Sequence, residues 1–325
     1  MNRLSRRTAC LALASLAFAA PALAQPDTWP SRPIRVIVPT PPGGAYDATM
    51  RPLAQELSQL LKQPVVVENR PGAGNIVGTQ VGAAAAPDGY TLTMTGMVNT
   101  IAAGVYDNLP FDIVKDFHHI GAIGAAAQWL VVRSDAGYGS MRELLAKAKA
   151  EPGRINYASS GAGSTGHLLV ELLQRSAGIE LMHVPYKGGA PALQDVLGGV
   201  VSVIVVPPNT AIPHIKAGKL RLLAVSTAQR NPAYPEVPTF EELGFPQMTV
   251  SSWVGLSAPK GTPPAIVQKL HAALETSLAK PALRARLEGD GMTPLAMTSA
   301  QFGELVRTDA QRWIQLTKSL NIKAN

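Results

Sequence analysis

Short runs of apolar, often β-branched residues alternate along the chain with longer segments in which apolar positions recur every three or four residues. The run at 34–38 predicts a strand, and the apolar positions between Met50 and Leu61 predict the helix that follows it. The alternation continues with predicted strands at 65–67, 90–95, 129–132, 155–158, 181–186, 203–206, 220–225 and 249–258 and predicted helices at 74–86, 141–150, 167–177 and 190–197. Alternating strands and helices predict an α/β fold with mostly parallel sheets that are flanked by helices on both faces.

The number of these elements predicts two lobes. The strand–helix pattern restarts after Gly121, and we expect the chain to cross between the lobes twice, near 120–128 and 245–255. Three helices close the sequence and are expected to pack on lobe one, the last of them beginning at a capping box at 298–301. The predicted boundaries are 25–122 together with 250–325 for lobe one and 123–249 for lobe two.

The first 24 residues have the three-part layout of a signal peptide. Three arginines precede an apolar run at 9–20, and the small-residue sequence Ala22-Leu23-Ala24 follows it. The run is too short to span a bilayer as a permanent helix. We therefore expect export to the periplasm with cleavage after Ala24. The general secretory route is favoured over the twin-arginine route, because Ala9 stands where twin-arginine signals prefer an aromatic residue.

Composition narrows the chemistry that the chain can support. Cys10, within the predicted leader, is the only cysteine, which argues against disulfides, a thiolate nucleophile and cysteine-ligated metals. The histidines show no metal-ligand spacing, and we expect neither a metal nor a cofactor. The formal net charge is +7, from 29 Lys and Arg against 22 Asp and Glu, and the basic residues are scattered. This pattern favours a small anionic ligand over a nucleic acid, which would require a basic face.

Three glycine-bearing loops, at 41–44, 159–165 and 186–189, each join a predicted strand to a predicted helix. In open α/β sheets, ligands bind beyond the carboxyl ends of the strands. A helix that starts there presents unpaired backbone N–H groups and a partial positive charge, which attract anions. Glycine lets a ligand approach the backbone because it has no Cβ. The loops therefore predict an anion-binding cleft that requires no catalytic side chain.

Two motifs in the second loop suggest enzymatic chemistry, but their context argues against it. The sequence Gly161-Ala162-Gly163-Ser164-Thr165-Gly166 matches the dinucleotide fingerprint, but Tyr186-Lys187 ends the next strand where an acid is expected. Ser164 and His167 lie close together, yet the G-x-S-x-G elbow of hydrolases is absent because Ala162 replaces its first glycine. We interpret Ser164 as a helix cap and His167 as a residue that packs or hydrogen-bonds locally, and we expect no enzyme.

Three side chains beside the loops each admit two interpretations. Asp47 either complements the dipole of the first helical turn or accepts a hydrogen bond from a ligand. Tyr46 is either a surface aromatic residue or a flat wall for an aromatic ligand. Lys187 is either a solvated charge or the counter-ion of a ligand carboxylate. The sequence leaves these alternatives open.

Several longer motifs resemble a known family of receptors. They are Pro41-Pro42-Gly43-Gly44 with Asp47, Val67-Glu68-Asn69-Arg70-Pro71-Gly72-Ala73-Gly74, Pro87-Asp88-Gly89-Tyr90, Leu109-Pro110-Phe111-Asp112, Val184-Pro185-Tyr186-Lys187-Gly188-Gly189-Ala190-Pro191-Ala192-Leu193 and Pro213-His214-Ile215-Lys216-Ala217-Gly218-Lys219-Leu220. Together they resemble the Bug family, the extracytoplasmic receptors of tripartite tricarboxylate transporters. The resemblance covers essentially the whole chain after the predicted leader.

The resemblance implies a two-lobed periplasmic binding protein, or Venus flytrap, that closes over a small carboxylate and delivers it to a membrane permease. In this family the first two loops grip a ligand carboxylate, largely through backbone groups and bridging water. The matching positions here are Pro42, Gly43, Gly44 and Ala45 in the first loop and Ser160, Gly161, Gly163, Ser164 and Thr165 in the second. The other predicted ligand contacts are Tyr46, Asp47, His167, Lys187, Gly188 and Asn209.

The chain departs from the family pattern at positions that bear on the ligand. An aromatic residue is usual at Thr40, a small residue at Tyr46, a histidine at Asn99 and an acid at Ser202. These differences leave both an aliphatic di- or tricarboxylate and an aromatic carboxylate open. The alternative functions are a ligand-presenting sensor for a membrane signalling kinase and an exported hydrolase. We expect a monomer, because a receptor that docks and releases needs no obligate interface.

Overall fold

Two β-sheets, each flanked by helices, make up the molecule in a computed structural model that describes residues 29–319 and 322–323. The predicted signal peptide and its cleavage after Ala24 lie outside the described residues. The sheets have six and five strands, and the chain passes from the first sheet to the second and back again. The two-lobed α/β fold predicted from the sequence is confirmed.

Helices follow most of the strands, as the alternating pattern predicts. In chain order the strands are β1 Ile34–Val38, β2 Val65–Asn69, β3 Thr91–Gly96, β4 Phe117–Ala126, β5 Trp129–Arg133, β6 Asn156–Ser159, β7 Met182–Pro185, β8 Val203–Val206, β9 Leu220–Val225, β10 Ser252–Pro259 and β11 Met292–Pro294. The helices are α1 Ala45–Leu61, α2 Ile76–Ala83, α3 Met97–Val105, α4 Met141–Ala150, α5 Thr165–Ala177, α6 Gly189–Leu197, α7 Pro208–Lys216, α8 Pro264–Leu278, α9 Pro281–Gly289 and α10 Ser299–Ser319.

Both sheets are mixed, whereas the sequence predicts mostly parallel ones. The first has the order β11-β4-β10-β3-β1-β2, and the second has the order β7-β6-β8-β5-β9. Strand β1 pairs in parallel with β2 and β3, and β6 does so with β7 and β8. Strands β10 and β5 run antiparallel to their neighbours. The physical reason is connectivity. Each of these two strands follows a crossover and enters its sheet from the side where the parallel strands have their carboxyl ends, so it runs in the opposite direction to them.

The two crossovers between the lobes touch each other. The first connects β4 to β5, and the second connects β9 to β10. Ser226 links them, because its Oγ accepts a hydrogen bond from the Gln128 amide (2.8 Å) and donates one to the Val250 carbonyl oxygen (2.6 Å). The domain boundary predicted after residue 122 falls inside β4, which stays in the first sheet as far as Ala126.

Three groups of buried apolar side chains hold the helices on the sheets. One packs α1, α8 and α9 on the first sheet, and another packs α6 and α7 on the second. The third contains Trp313 of α10, Ile101 of α3 and Leu168 of α5, so it includes residues of both lobes. Helices α8 and α10 also contact β4, which places the C-terminal helices on lobe one as the sequence predicts. The helix ends that face the cleft therefore rest on packed cores.

Local structure follows the sequence at several helix starts and differs from it at others. The capping box is confirmed, because Thr298 Oγ1 accepts from the Gln301 amide (3.2 Å) and Gln301 Oε1 accepts from the Thr298 amide (2.9 Å). The helix predicted at 74–86 begins only at Ile76, because Ala73, Gly74 and Asn75 before it have left-handed φ angles (+45°, +60° and +77°). Helix α7 was not predicted, and neither was α3. The residues of α3 are mostly buried, so it lacks the polar face that makes an amphipathic helix recognisable.

Candidate ligand-binding site

Several helices begin at the carboxyl ends of parallel strands, where the sheets face the cleft between the lobes. Helix α1 follows β1, and α5, α6 and α7 follow β6, β7 and β8. The lobes touch across this cleft, because the hydroxyl of Tyr106, just after α3, donates a hydrogen bond to the carbonyl oxygen of Ala162 (3.4 Å). The structure therefore shows a cleft that is closed at this point, with helix N-termini from both lobes along it.

The loop at 41–44 turns the chain from β1 into α1. Gly43 has a φ of +76°, a conformation that glycine adopts without steric strain. The first intrahelical hydrogen bond joins the Ala48 amide to the Gly44 carbonyl oxygen (2.9 Å). The amides of residues 45–47 precede this bond, so the helical ladder gives them no partner. They are suited to an anion at the N-terminus of α1.

Asp47 supports this loop from below. Its side chain is 4% exposed and accepts hydrogen bonds from the Gly43 amide (2.8 Å), Arg51 Nε (2.9 Å) and Asn69 Nδ2 (2.9 Å). Burial acts to raise the pKa of Asp47, but the hydrogen bonds from Arg51, Gly43 and Asn69 outweigh it and hold the pKa below its usual value. The carboxylate is thus engaged within the protein, which favours a structural role over a direct ligand contact.

The ring of Tyr46 lies against the end of β3. It is half-buried and packs on the core under α1. A Cβ built on Gly96 would lie 1.9 Å from the Tyr46 hydroxyl oxygen and 3.0 Å from the Trp253 carbonyl oxygen, so the ring needs glycine at this position. Burial also raises the pKa of the Tyr46 hydroxyl. This placement disfavours the interpretation of Tyr46 as a surface aromatic residue.

Two glycines of the second loop use their amides within the protein. The Gly161 amide donates to Ser159 Oγ (3.1 Å), and the Gly163 amide donates to His167 Nδ1 (3.1 Å). Both glycines have positive φ angles, +131° and +75°. Ser160, between β6 and these glycines, is exposed. The amide protons of Gly161 and Gly163 are therefore occupied within the protein, so these two predicted contacts are not free backbone donors.

The N-terminus of α5 offers its free amides one step further along the chain. Ser164 Oγ accepts from the His167 amide (3.4 Å) and so caps the helix, as the sequence predicts. The first intrahelical bond joins the Leu168 amide to the Ser164 carbonyl oxygen (3.0 Å). The amides of Thr165 and Gly166 precede it and have no partner in the helical ladder. This pair is therefore the second candidate anion-binding group in the cleft.

The third loop and α7 add two polar side chains. Lys187 is exposed after β7, and Gly188 follows it with a φ of +117°. The Tyr186 carbonyl oxygen would lie 3.4 Å from a Cβ built on Gly161, so the second and third loops are neighbours. Asn209 lies in the first turn of α7, and its Oδ1 is buried without a hydrogen bond to any described residue.

The described ranges contain no group of three or more His, Cys, Asp or Glu side chains that could hold a metal ion. Within the same ranges, every helix is either too short or too polar to cross a bilayer. What the cleft presents to a ligand is therefore backbone amides at helix N-termini, with a few polar side chains around them.

A family profile described as "Tripartite tricarboxylate transporter family receptor" matches residues 49–322. The chain belongs to this receptor family. The protein BugT of Bordetella pertussis is 37% identical over 313 residues, which cover 96% of this chain and 95% of BugT. The resemblance to the Bug family drawn from the sequence motifs is confirmed.

Two solved structures of similar proteins contain carboxylates. Rpa4515 of R. palustris, solved with adipate, is 31% identical and has a TM-score of 0.85, with 91% of this chain and 99% of Rpa4515 covered. MatC of Rhodopseudomonas palustris, with bound malate, is 30% identical and has a TM-score of 0.83, with 89% of this chain and 99% of MatC covered. Receptors of this family are periplasmic binding proteins that work with transporter permeases, and enzymes are not among these neighbours.

Two residues at the cleft of this receptor were not among the predicted ligand contacts. Thr40 Oγ1 is buried beside Gly44 without a hydrogen bond to any described residue. Its departure from the family's aromatic residue was the available signal. Tyr106 gave no signal, because it meets Ala162 from 56 positions away in the sequence. Pro42, which was among the predicted contacts, is exposed at the tip of the first loop.

The unusual residue at Asn99 has a structural explanation. Its Oδ1 accepts from the Gly96 amide (2.9 Å), and its Nδ2 donates to Thr79 Oγ1 (2.8 Å). The side chain is buried and joins the start of α3 to α2. Asn99 therefore fixes the framework behind the first loop.

Proposed function

We propose that this receptor binds a small carboxylate in the cleft between its lobes and delivers it to a membrane permease. The observation that carries the proposal is the presence of unpaired amides at the N-termini of α1 and α5, which belong to opposite lobes. Each terminus combines N–H donors with a partial positive charge. The adipate and malate bound to the two similar receptors support the same ligand class.

Closure of the lobes follows from this arrangement. One carboxylate held by amides 45–47 and 165–166 contacts both lobes at once, so its binding favours the closed state. Hydrogen bonds to an ionised acceptor are stronger than neutral ones, and closure strengthens them further by excluding water. Thr40, Lys187 and Asn209 are the polar side chains proposed to contact the remainder of the ligand.

We also propose how the chain is exported and in which oligomeric state it acts. The leader is cleaved after Ala24 during export by the general secretory route, which matches the periplasmic location of the family. The receptor acts as a monomer that docks on its permease and is released.

The proposal predicts that the Ala45→Pro variant loses carboxylate affinity but keeps its fold. Proline lacks the amide proton and is tolerated at the first helical position. The preceding Gly44 already has the extended conformation that proline requires (φ −71°, ψ 167°). Since a hydrogen bond to a charged group contributes about 1.5–3 kcal/mol, we expect a loss of roughly tenfold or more in affinity for adipate by calorimetry, with an unchanged melting temperature.

Two controls sharpen this experiment. Ala45→Ser keeps the amide and should bind like the parent protein.

Refolded parent protein is also screened by thermal unfolding against adipate, malate, aromatic carboxylates and the neutral diamide of adipic acid. A carboxylate at a hundred times its Kd should add about 2.7 kcal/mol of stability, and the diamide should add none. Equal stabilisation by the diamide, or none by any carboxylate, would contradict the proposal.

Tyr46 is proposed to favour an aromatic carboxylate by stacking against its ring. Aromatic pairs contribute about 0.5–1.5 kcal/mol beyond area burial. We therefore expect Tyr46→Ala to weaken the binding of benzoate by roughly three- to tenfold relative to adipate, whereas Tyr46→Phe keeps the preference. Competition titrations of both variants provide the measurement. Unchanged relative affinities in Tyr46→Ala would show that the ring does not contact the ligand.

A further inference from the structure

Five polar side chains lie beneath the second loop, and we call them the histidine cluster. They are Tyr157 and Ser159 of β6, His167 and Glu171 of α5, and His183 of β7. The rings of His167 and His183 stack with centroids 4.2 Å apart and an interplanar angle of 21°, and Tyr157 stacks on His183 at 4.8 Å. Buried polar groups need hydrogen-bond partners, so the partners of each ring indicate what the cluster does.

His167 is tied to the loop through one nitrogen. Its Nδ1 accepts a hydrogen bond from the Gly163 amide (3.1 Å), which assigns the ring proton to Nε2. Nε2 lies 4.0 Å from Glu171 Oε1. A proton on Nδ1 would face the N–H of Gly163 and remove the hydrogen bond. Only the neutral imidazole can therefore hold Gly163.

His183 is tied to the same loop through Ser159. Its Nε2 lies 2.7 Å from Ser159 Oγ, and that hydroxyl also contacts the carbonyl oxygen of Gly161 (3.0 Å) and accepts from the Gly161 amide (3.1 Å). The hydroxyl has one proton. All three contacts are satisfied when Ser159 donates to the Gly161 carbonyl and His183 donates to Ser159. His183 thus orients the hydroxyl that fixes Gly161.

Lobe one repeats the link between glycine and helix. The Gly43 amide donates to the side chain of Asp47, and the Gly163 amide donates to the side chain of His167, in each case four residues later. Both acceptors lie in the first turn of a helix, and that turn also contains the amides that have no partner in the helical ladder. The same geometry therefore shapes both anion-binding loops, with a carboxylate in one lobe and an imidazole in the other.

We propose that His167 and His183 are positioning residues, which hold Gly161 and Gly163 so that the amides of Thr165 and Gly166 point at the ligand. The expected effect on ligand binding rests on the proposed carboxylate function. The hydrogen bonds that hold Gly161 and Gly163 do not depend on it. Glycine has the most conformational freedom of all residues, and both of these glycines adopt positive φ angles. Hydrogen bonds from neighbouring side chains therefore decide the conformation of the loop.

The surroundings favour neutral rings. Burial lowers the pKa of His167 to about 4 and, with a smaller effect of the neighbouring His167, lowers that of His183 to about 4. Among the described residues the titratable groups that face the pair are Tyr157 and Glu171. Glu171 Oε1 already accepts from the Tyr157 hydroxyl (2.8 Å) and from Gln174 Nε2 (2.8 Å). A ring proton would thus gain little compensation.

The lowered pKa values of the two histidines make the stability of the folded protein decrease at acidic pH. The unfolded chain takes up protons near the ordinary histidine pKa of about 6.5, whereas the folded rings do so only near 4. The unfolded state therefore binds more protons in between, and the stability contributed by the neutral rings is lost as the pH falls from about 6.5 towards 4. In the folded protein the rings stay neutral, and the loop keeps its shape, until the pH approaches about 4.

The experiment uses paired amide substitutions. The Oδ1 of asparagine takes the place of imidazole Nδ1, and the amide group of glutamine takes the place of Nε2. At position 167, where Nδ1 makes the contact, His167→Asn should keep the loop and His167→Gln should not. At position 183, where Nε2 makes the contact, the order reverses. All four variants lose the ring stack, so a general loss of packing affects each pair alike.

Two readouts separate this inference from the proposed function. Hydrogen exchange of the Gly161 and Gly163 amides is measured without ligand, and adipate affinity is measured by calorimetry. We expect His167→Gln to speed Gly163 exchange at least tenfold and weaken adipate at least fivefold, with His167→Asn within threefold of the parent in both. Equal exchange in His167→Asn and His167→Gln would overturn the inference. If the exchange pattern holds while no carboxylate binds the parent, the proposed function fails and the positioning role stands.

Discussion

Replacing Asp47 by alanine is expected to remove on the order of 3 kcal/mol from the free energy of unfolding and to lower carboxylate affinity at least tenfold. The substitution removes the buried carboxylate that accepts from both the Gly43 amide and Asn69 Nδ2, although Asn69 Nδ2 keeps its hydrogen bond to the Thr40 carbonyl oxygen (3.0 Å). Arg51 is half-exposed and can return to water, so it adds less to the loss. Affinity falls because the loop before the free amides of α1 loses its anchor.

Chemical denaturation and calorimetry with adipate measure the two effects. Asp107→Ala is the matched control, because Asp107 also pairs with a basic residue, Lys323, but at a site where both side chains are exposed. Surface pairs of this kind contribute about 0–1 kcal/mol, so the control should barely change stability. An Asp47→Ala variant as stable as Asp107→Ala would refute the anchoring role of Asp47.

The Gly78→Ala variant is expected to lose about 3 kcal/mol of stability through a clash with backbone. A Cβ at this buried position in α2 would lie 2.6 Å from the Arg70 carbonyl oxygen and 2.8 Å from Pro39 Cα. Backbone atoms cannot rotate out of the way, so α2 must move from the segment that leads into the first loop. Overpacking of this kind costs about 1–3 kcal/mol, and we expect the upper end because both contacts are main-chain.

Gly289→Ala provides the opposite outcome with the same chemical change. Gly289 ends α9, and a Cβ there has no atom within 4 Å. Alanine should stabilise that helix by up to about 1 kcal/mol, since it restricts the unfolded chain more than glycine does. Thermal unfolding of the two variants should therefore give melting temperatures on opposite sides of the parent. Similar values for both would show that α2 adjusts freely to the added methyl group.

The two candidate anion-binding loops are supported in the same way. Each anion-binding loop is held by one side chain in the first turn of the helix that follows it, Asp47 in lobe one and His167 in lobe two. The contact between Tyr106 and Ala162 then joins the second loop to the opposite lobe. We therefore expect ligand capture in this receptor to depend on residues that need not touch the ligand.

Much of the fold follows from the sequence because local signals are strong. The apolar spacing of α1, the capping box at Thr298 and the glycine loops after β1 and β6 all predict elements that the structure contains. Helix α3 escaped detection because burial on all sides leaves no polar face to mark it. The mixed sheets escaped it because strand direction in β5 and β10 depends on the crossovers, which no local pattern records.

The sequence by itself determined the two-lobed architecture, the receptor family and the position of the candidate anion-binding loops, since their signals come from residues that are neighbours in the chain. Only the tertiary structure decided which amides remain for a ligand. The Asp47 carboxylate is shared with Asn69, 22 positions later, and Ser159 Oγ is oriented by His183, 24 positions later. Hydrogen bonds over such distances form only when the sheets bring the strands together, so no local pattern can assign them.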